Sequence, residues 1–535
     1  MDTKISRRSF LQTSGVVAAG CSIAPSGLQA ATKKSTPKKQ PHIIFIMTDQ
    51  HRGDALGLIN PILKTPNIDQ IGKNGLIFRN GYTSTPSCTP ARSGLLTGQA
   101  PWNHGMLGYS KVARHYPIEL PRLLRESGYY TFGIGKMHWY PQKCLHGFHG
   151  TLVDESGRVE DDGYVSDYRD WFKLNAPGKD PDKTGISWNE NRADTYQLPK
   201  QLHPTQWTGD TAIQFIEKYD LDNPMFLKVS FARPHSPYDP PKEYLEQYDI
   251  HDIEGPARSE WSEKYAPVKK PINYNTAFGD FGDDYAKKSK QHYYANITFI
   301  DDQVGKIIQS LKDKGIYEDC IICFTADHGD MMGDHNHWRK TYAYEGSTKI
   351  PFLMQYPKWY DSKREIGTEV YAPVELRDFL PTFLDAAGAS IPEKVDGSSL
   401  LSFVKEEDPK WREYIDLEHA TCYKPHNYWA ALTDGKMKYI WFIRTGEEQL
   451  FNLEKDPQET TDLSDKRKYR KTLEKWRERM VAHLEERGET FVKDGKLVTR
   501  EKTLLIGPNF PDKKWDNKSA IAYWKRETNK AFKML

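Results

Sequence analysis

The sequence predicts an α/β protein: a large, mostly parallel sheet flanked by helices, followed by a smaller C-terminal α+β unit with a short antiparallel sheet. Three observations lead there. At 535 residues the chain is too long for one small core, so a large domain with a smaller companion is expected. The short apolar runs His42–Thr48 and Cys320–Thr325 have the composition of strands buried on both faces, and both end in acid, at Asp49 and at Asp327-His328-Gly329-Asp330. From about Trp411 the texture changes to short alternating segments.

Between the two apolar runs, Ile297, Ile300, Val304, Ile307, Ile308 and Leu311 fall on one helical stripe that Gly315 stops, which makes an αβ unit. Gly128–Gly135 reads as a further strand delivering Lys136 and His138. Met225–Phe231 reads as another, leading into the stiff loop Arg233-Pro234-His235-Ser236-Pro237. Ligands of open α/β sheets gather at the carboxyl ends of strands, so the acidic termini are expected to meet there. A helix around Val374–Ala387 and the segment Asp396–Leu401 close the large domain. Trp429–Thr433, Lys438–Ile443 and Gln449–Leu453 are the predicted strands of the small sheet, followed by a charged helix over Tyr469–Glu486. There is no internal repeat, and the aromatic, basic tail after Thr503 carries no functional signal. The implied organisation is a leader over 1–30, a Lys/Pro-rich linker over 31–41, a large domain over 42–410 and a C-terminal subdomain with tail over 411–535.

Lys and Arg total 75 against 73 Asp and Glu, a net charge of +2, so no global field favours nucleic acid or an anionic membrane. An anionic substrate must be caught locally. Six cysteines without regular spacing make neither a disulfide framework nor a paired zinc signature, and Cys320 and Cys323 lie in a predicted buried strand, where packing is their role. Ser6-Arg7-Arg8-Ser9-Phe10-Leu11, an apolar stretch from Val16 to Ala24, and Leu28-Gln29-Ala30 read as a twin-arginine export signal. Cys21 after Ala19-Gly20 hints at lipoprotein attachment, although Ala18 stands where leucine is usual. No later segment is long and apolar enough to span a membrane, so an exported protein, periplasmic or at the cell surface, is expected.

Cys88 taken alone reads as a buried thiol or an ordinary thiolate nucleophile. Its context is more specific: Pro90 and Arg92 follow at fixed offsets, and Gly94 and Gly98 are expected to let backbone approach a ligand. The run Cys88-Thr89-Pro90-Ala91-Arg92, continued through Leu95, Leu96, Thr97 and Gly98, resembles the maturation motif of the formylglycine-dependent sulfatases, a branch of the alkaline phosphatase superfamily. In that family Cys-x-Pro-x-Arg is oxidised to an aldehyde-bearing residue. The resemblance covers most of the chain, and Glu447–Glu459 is similar to the closing strand and turn of exported bacterial carbohydrate sulfatases. It implies a mixed, alkaline phosphatase-like sheet, a catalytic domain over 42–410, and a formylglycine-generating or anaerobic sulfatase-maturing enzyme as partner, acting before export of the folded chain.

The resemblance also assigns chemistry. Asp49, Gln50, Asp327 and His328, with Cys88, match the metal site, where one calcium per chain is implied. Gln50 stands where Asp is more usual and lowers the charge, so magnesium and manganese stay open. The aldehyde, hydrated to a geminal diol, would attack sulfur with one hydroxyl and expel sulfate with the other, the metal having lowered the attacker's pKa. Arg92 is implied to hold the modified side chain, Lys136 to bind sulfate and the diol, and His138 to take a proton as sulfate leaves. His235 is expected as general acid because an unperturbed imidazole titrates near neutrality, with Lys340 neutralising charge. His104 and His335 match pocket positions. Glu418 and His419, with Tyr423, His426, Trp429, Lys436 and Lys438, form a mixture suited equally to stacking on and bonding to sugars or to ordinary sheet packing. The implied substrates are oligosaccharides of a glycosaminoglycan, an algal galactan or ulvan. A phosphodiester or phosphonate monoester hydrolase and an inactive sugar-binding protein are the alternatives, and the sugar and ring position depend on pocket shape.

Overall fold

His42–Asp49 is the central strand, and the alternation of its side chains explains its unbroken apolar sequence. Ile43, Phe45 and Met47 pack into one core with Phe379 and Phe383, while Ile44 and Ile46 pack into a second with Val304 and Ile307 on the opposite face. The computed structural model describes residues 39–160 and 163–533. The expected export signal with Cys21, and the linker up to residue 38, lie outside the described residues.

The main sheet runs in the order Gly150–Val153, Tyr130–Gly135, Met225–Pro234, His42–Asp49, Cys320–Ala326, Phe352–Gln355, Gly75–Phe78, Thr368–Val370. Phe352–Gln355 alone runs against its neighbours, so the sheet is mixed and mostly parallel. Four adjacent strands, from Tyr130–Gly135 to Cys320–Ala326, are mutually parallel and therefore finish on one edge. The predicted helical stripe lies on Asp283–Asp313, packs on the second core, and ends before Gly315, whose φ of 77° completes the stop. Cys320 and Cys323 are buried and unbonded.

The C-terminal sheet is an antiparallel meander of Ile415–His419, Trp429–Thr433, Met437–Phe442 and Glu448–Asn452, backed by helix Arg470–Leu484 through Trp476, Met480 and Leu484. Its first strand escaped the sequence reading because its polar positions are charged. Asp416 and Glu418 are satisfied by Arg377 at 2.6 Å and Arg487 at 2.7 Å, partners far away in sequence. From Gln40 onward the chain is one compact unit, and a single core runs from Ile43 through Tyr439 and Trp476 to Ala520.

One cation sits inside this packing. Lys228, in register with Phe45 and Gly133, is 5% exposed, and its ammonium lies 5.6 Å from the centre of the Trp139 ring. Burial, with Arg92 adding repulsion, pushes its pKa down from 10.5 to about 7. Between those values the unfolded chain holds a proton that the folded chain does not, so this group makes stability rise with pH by about 1.4 kcal/mol per unit. Lys228→Met is therefore expected to be more stable than the parent at pH 7, with the advantage shrinking towards pH 10. Urea titrations across that window check it, and a pH-independent difference would contradict the burial of the charge.

Candidate active site

Cys88 is the first residue of helix Cys88–Thr97, which delivers it to the edge where the parallel strands end. Its Sγ lies 3.2 Å from His328 Nε2, 3.5 Å from Lys340 Nζ and 3.7 Å from Asp49 Oδ1. The ligand atoms of Asp49, Cys88, Asp327 and His328 all lie within 4.8 Å of one another, and all four residues are buried. The glycines of this run act differently from expectation. Gly98, at φ 66°, ends the helix by returning its amide to Gly94 O, and neither glycine lines the adjoining cavity.

Two bridges decide how the carboxylates face. Arg92 donates from Nε to Asp327 Oδ2 at 2.9 Å and from Nη2 to Asp49 Oδ2 at 3.0 Å. Its Nη1 donates to Lys136 O at 2.6 Å and Ser230 Oγ at 3.1 Å. Both Oδ1 atoms are thereby left towards Cys88 and His328. Arg92, expected to hold the modified side chain, spends its hydrogen bonds beside Cys88 on the two carboxylates, Lys136 O and Ser230 Oγ. Asp330 performs the second task. Its Oδ2 accepts from Gln50 Nε2 at 2.5 Å and from Tyr238 OH at 2.6 Å, so the Gln50 amide must turn its Oε1 the other way, towards Lys340 Nζ at 2.9 Å. His328 gives its Nδ1 proton to Gly329 O at 2.9 Å and presents Nε2 to the ring. Two carboxylate oxygens and an imidazole nitrogen, each oriented by a neighbour and gathered beside Cys88, could hold a metal ion, while the Gln50 amide oxygen faces Lys340 Nζ.

The basic side chains follow the same logic. Gly135, at φ 88°, stands where a Cβ would lie 2.1 Å from Ser230 O, and the next residue, Lys136, reaches Asp49 Oδ2 at 2.8 Å. Although burial opposes it, Lys136, then His235, Arg92 and Lys340, hold the Asp49 carboxyl well below its usual range. Burial and Asp49 push the Cys88 thiol up, but Lys340, Lys136 and His328 outweigh them and the net shift is down. His138, at φ 58°, touches Arg158 through Nε2 and is held well below neutrality by burial, Arg158 and Lys136. His235 gives Nδ1–H to Ser236 O at 3.0 Å and accepts from Lys340 Nζ at 2.7 Å; burial and Lys340 hold it well down too. In this pair Lys340 donates and His235 accepts.

A cavity of about 70 Å³ opens over Cys88 and shares Arg158, Trp188 and Asn275 with a neighbouring hollow of about 470 Å³. Lys136, His138, His235, Lys340 and Tyr423, all singled out in the sequence, line it; Arg158, Trp188, Arg339 and Trp524 line it with no such signal. Four expected substrate residues do not line it. His104 lies behind the Cys88 helix, its Nδ1 taken by Met106 N. His335 bonds Ser259 and Gln458 O beside Trp261, Glu418 pairs with Arg487, and His419 accepts or donates at Ser87 Oγ, 2.8 Å away. Trp429 and Lys438 are also absorbed, the first by Thr341 O and the core, the second by Glu345 and Glu459. The only sequence signal for the missed Asp330 was its place three residues after Asp327; Trp524, on helix Asn517–Lys533, had none.

Comparison with known proteins gives this geometry a family. The sulfatase family matches residues 41–389, and a family described as N-sulphoglucosamine sulphohydrolase, C-terminal, matches residues 333–486. An arylsulfatase of Clostridium perfringens is 36% identical over 478 residues, covering 86% of this chain and 97% of that protein. An ulvan-active sulfatase of Formosa agariphila is 28% identical over 513 residues, covering 94% and 90%. The solved phosphonate monoester hydrolase of Agrobacterium radiobacter superposes with a TM-score of 0.68 at 23% identity over 86% of this chain and all of that one, a likeness of fold. A cysteine at the head of a motif helix, set among strand-end ligands, thus stands in a chain that belongs to the sulfatase family, the sulfuric ester hydrolases of alkaline phosphatase-like fold.

Proposed function

We propose that this sulfatase releases sulfate from oligosaccharides of a sulfated polysaccharide, a glycosaminoglycan, algal galactan or ulvan, through a formylglycine made from Cys88 and a calcium ion held by Asp49, Gln50, Asp327 and His328. The observation that carries the reading is the 4.8 Å cluster of Asp49, Cys88, Asp327 and His328, bordering a cavity lined by Lys136 and Lys340. The bound ion supplies a positive charge for a sulfate oxygen and a lowered pKa for the attacking hydroxyl, and the hydrated aldehyde supplies that hydroxyl with a second one for release. The chain's own groups do the rest. Arg92 keeps both Oδ1 atoms forward, and Lys136 offers its ammonium to the sulfate while tied to Asp49. His138, held neutral, would take the proton as sulfate leaves, and the hydrogen-bonded pair of His235 and Lys340 would serve the leaving oxygen, one as acid and the other neutralising charge.

A sugar leaving group is supported by the ulvan-active relative and by the match to the N-sulphoglucosamine sulphohydrolase C-terminal family. Trp188 and Tyr423 offer ring faces of the kind sugars stack on. Residues 1–30 are proposed as a twin-arginine signal, and among the described residues no helix is long and apolar enough to cross a membrane. Cys88 is 2% exposed at the start of a buried helix, so its conversion belongs before folding and hence before export of a folded chain.

Cys88→Ala is expected to abolish sulfate release while leaving the melting temperature within a few degrees of the parent, and mass measurement of the Cys88 peptide from the native host is expected to find the aldehyde. An unmodified thiol in an active preparation would refute the nucleophile. Chelation should silence the enzyme, and calcium at a hundredfold excess over its dissociation constant should restore about 2.7 kcal/mol of stability; activity that survives exhaustive chelation would remove the ion from the reaction. The superposed phosphonate hydrolase motivates a third measurement, kcat/KM on an aryl sulfate beside an aryl phosphodiester. The sulfate is expected to be preferred, and a preferred diester would reassign the site.

A further inference from the structure

The cavity over Cys88 carries more positive charge than one sulfate ester requires. Lys136, Arg158, Arg339 and Lys340 all line it, and among the described residues no carboxylate does. Lys136 is tied to Asp49, Arg158 to Glu155 and Glu160, and Lys340 to Gln50 and His235. Arg339 differs. It is 5% exposed, its Nη2 donates to the backbone and side-chain oxygens of Asn275, and its Nε is buried with no partner. Its guanidinium lies 5.4 Å from the centre of the Tyr423 ring, and no described carboxylate pairs with it. A left-handed backbone at φ 70° and a hydrogen bond from its amide to Asp330 Oδ1 at 3.0 Å fix where the side chain starts. A buried guanidinium without a counter-charge is costly, and its planar fork matches a carboxylate or a sulfate.

We propose that Arg339 recognises a second anionic group on the substrate, a carboxylate or a further sulfate carried beside the ester that is cleaved, so that polyanionic sugars are preferred over singly charged sulfate esters. This rests on the sulfatase reading above. The aromatic walls of the cavity are of a kind that can also cage a quaternary ammonium, as in choline sulfate, but the Arg339 charge facing the same space opposes a cation.

The test measures kcat/KM of the full chain on matched pairs: D-glucosamine 6-sulfate against D-glucosamine-2-N,6-O-disulfate, and a sulfated N-acetylgalactosamine against the same sugar joined to a uronate. 4-Methylumbelliferyl sulfate and choline sulfate serve as references. The first pair reads a second sulfate and the second a carboxylate. At least one dianionic member is expected to be favoured roughly tenfold or more over its partner, a difference that one well-placed charge pair can supply. Arg339→Gln should bring that ratio close to one, chiefly through KM, and Arg339→Lys should keep part of it. Because the readout is a ratio between substrates, a general loss of folding would lower both members together and leave it unmoved, which counts against the proposal, as does choline sulfate proving the best substrate. A parent enzyme that cleaves 4-methylumbelliferyl sulfate but shows no preference for, or no turnover of, the dianionic sugars overturns the proposal alone. Failure to release sulfate from any of them overturns the sulfatase reading with it.

Discussion

Two carboxylates at the ends of neighbouring parallel strands repel one another, and in a buried site that repulsion would protonate one or turn it away. Arg92 prevents this by lying between their outer oxygens, at 2.9 Å from Asp327 and 3.0 Å from Asp49. The remaining geometry depends on that bridge. With both Oδ2 atoms occupied, both Oδ1 atoms are left for the space beside Cys88, and the two strands are held in a register in which that space exists. A buried ion pair of this kind contributes little net stability, because desolvation offsets its attraction, and its value here is orientation.

Around that bridge, the site is built from positions where the backbone is held in an unfavourable conformation. Gln50, His138, Arg339 and Thr341 all have positive φ, from 58° to 84°, and Thr341 is β-branched, for which the left-handed region is costly. Such conformations persist when neighbours over-determine them. Asp330 does so for Gln50 and Arg339, through one oxygen each. For Thr341, the determining groups come from the C-terminal sheet: Trp429 Nε1 donates to its carbonyl at 2.9 Å and Asn427 Nδ2 to its hydroxyl at 2.8 Å. The small sheet therefore acts on the site by clamping the loop that carries Arg339 and Lys340, a function that Trp429 serves from within the core.

Charge is distributed with the same economy. A chain with a net charge of only +2 gathers four cationic side chains around one buried cavity, which catches an anion without making the whole surface basic. The cost of burying those cations is met by specific partners, and the pKa shifts reflect this: Asp49 is held ionised while His138 and His235 are held neutral. Neutral imidazoles beside an ammonium and a guanidinium can accept protons or orient donors without adding to the repulsion.

Much of this was legible in the chain itself. Apolar runs such as His42–Asp49 specify buried strands because both faces of a covered parallel sheet demand the same chemistry at every position, and the Cys88 run points to the sulfatase family because its residues stand at fixed offsets within one short segment. The rest depends on partners set by three-dimensional register. That Glu418 and Lys438 are consumed by ion pairs, that Arg92 reaches two carboxylates, and that Arg339 and Trp524 reach the cavity wall could be known only after folding, since a polar or aromatic side chain has the same local signature whether its partner is a distant residue, solvent or a substrate. Local pattern determined the elements and the chemistry they carry; tertiary structure decided which charges were left free to meet a ligand.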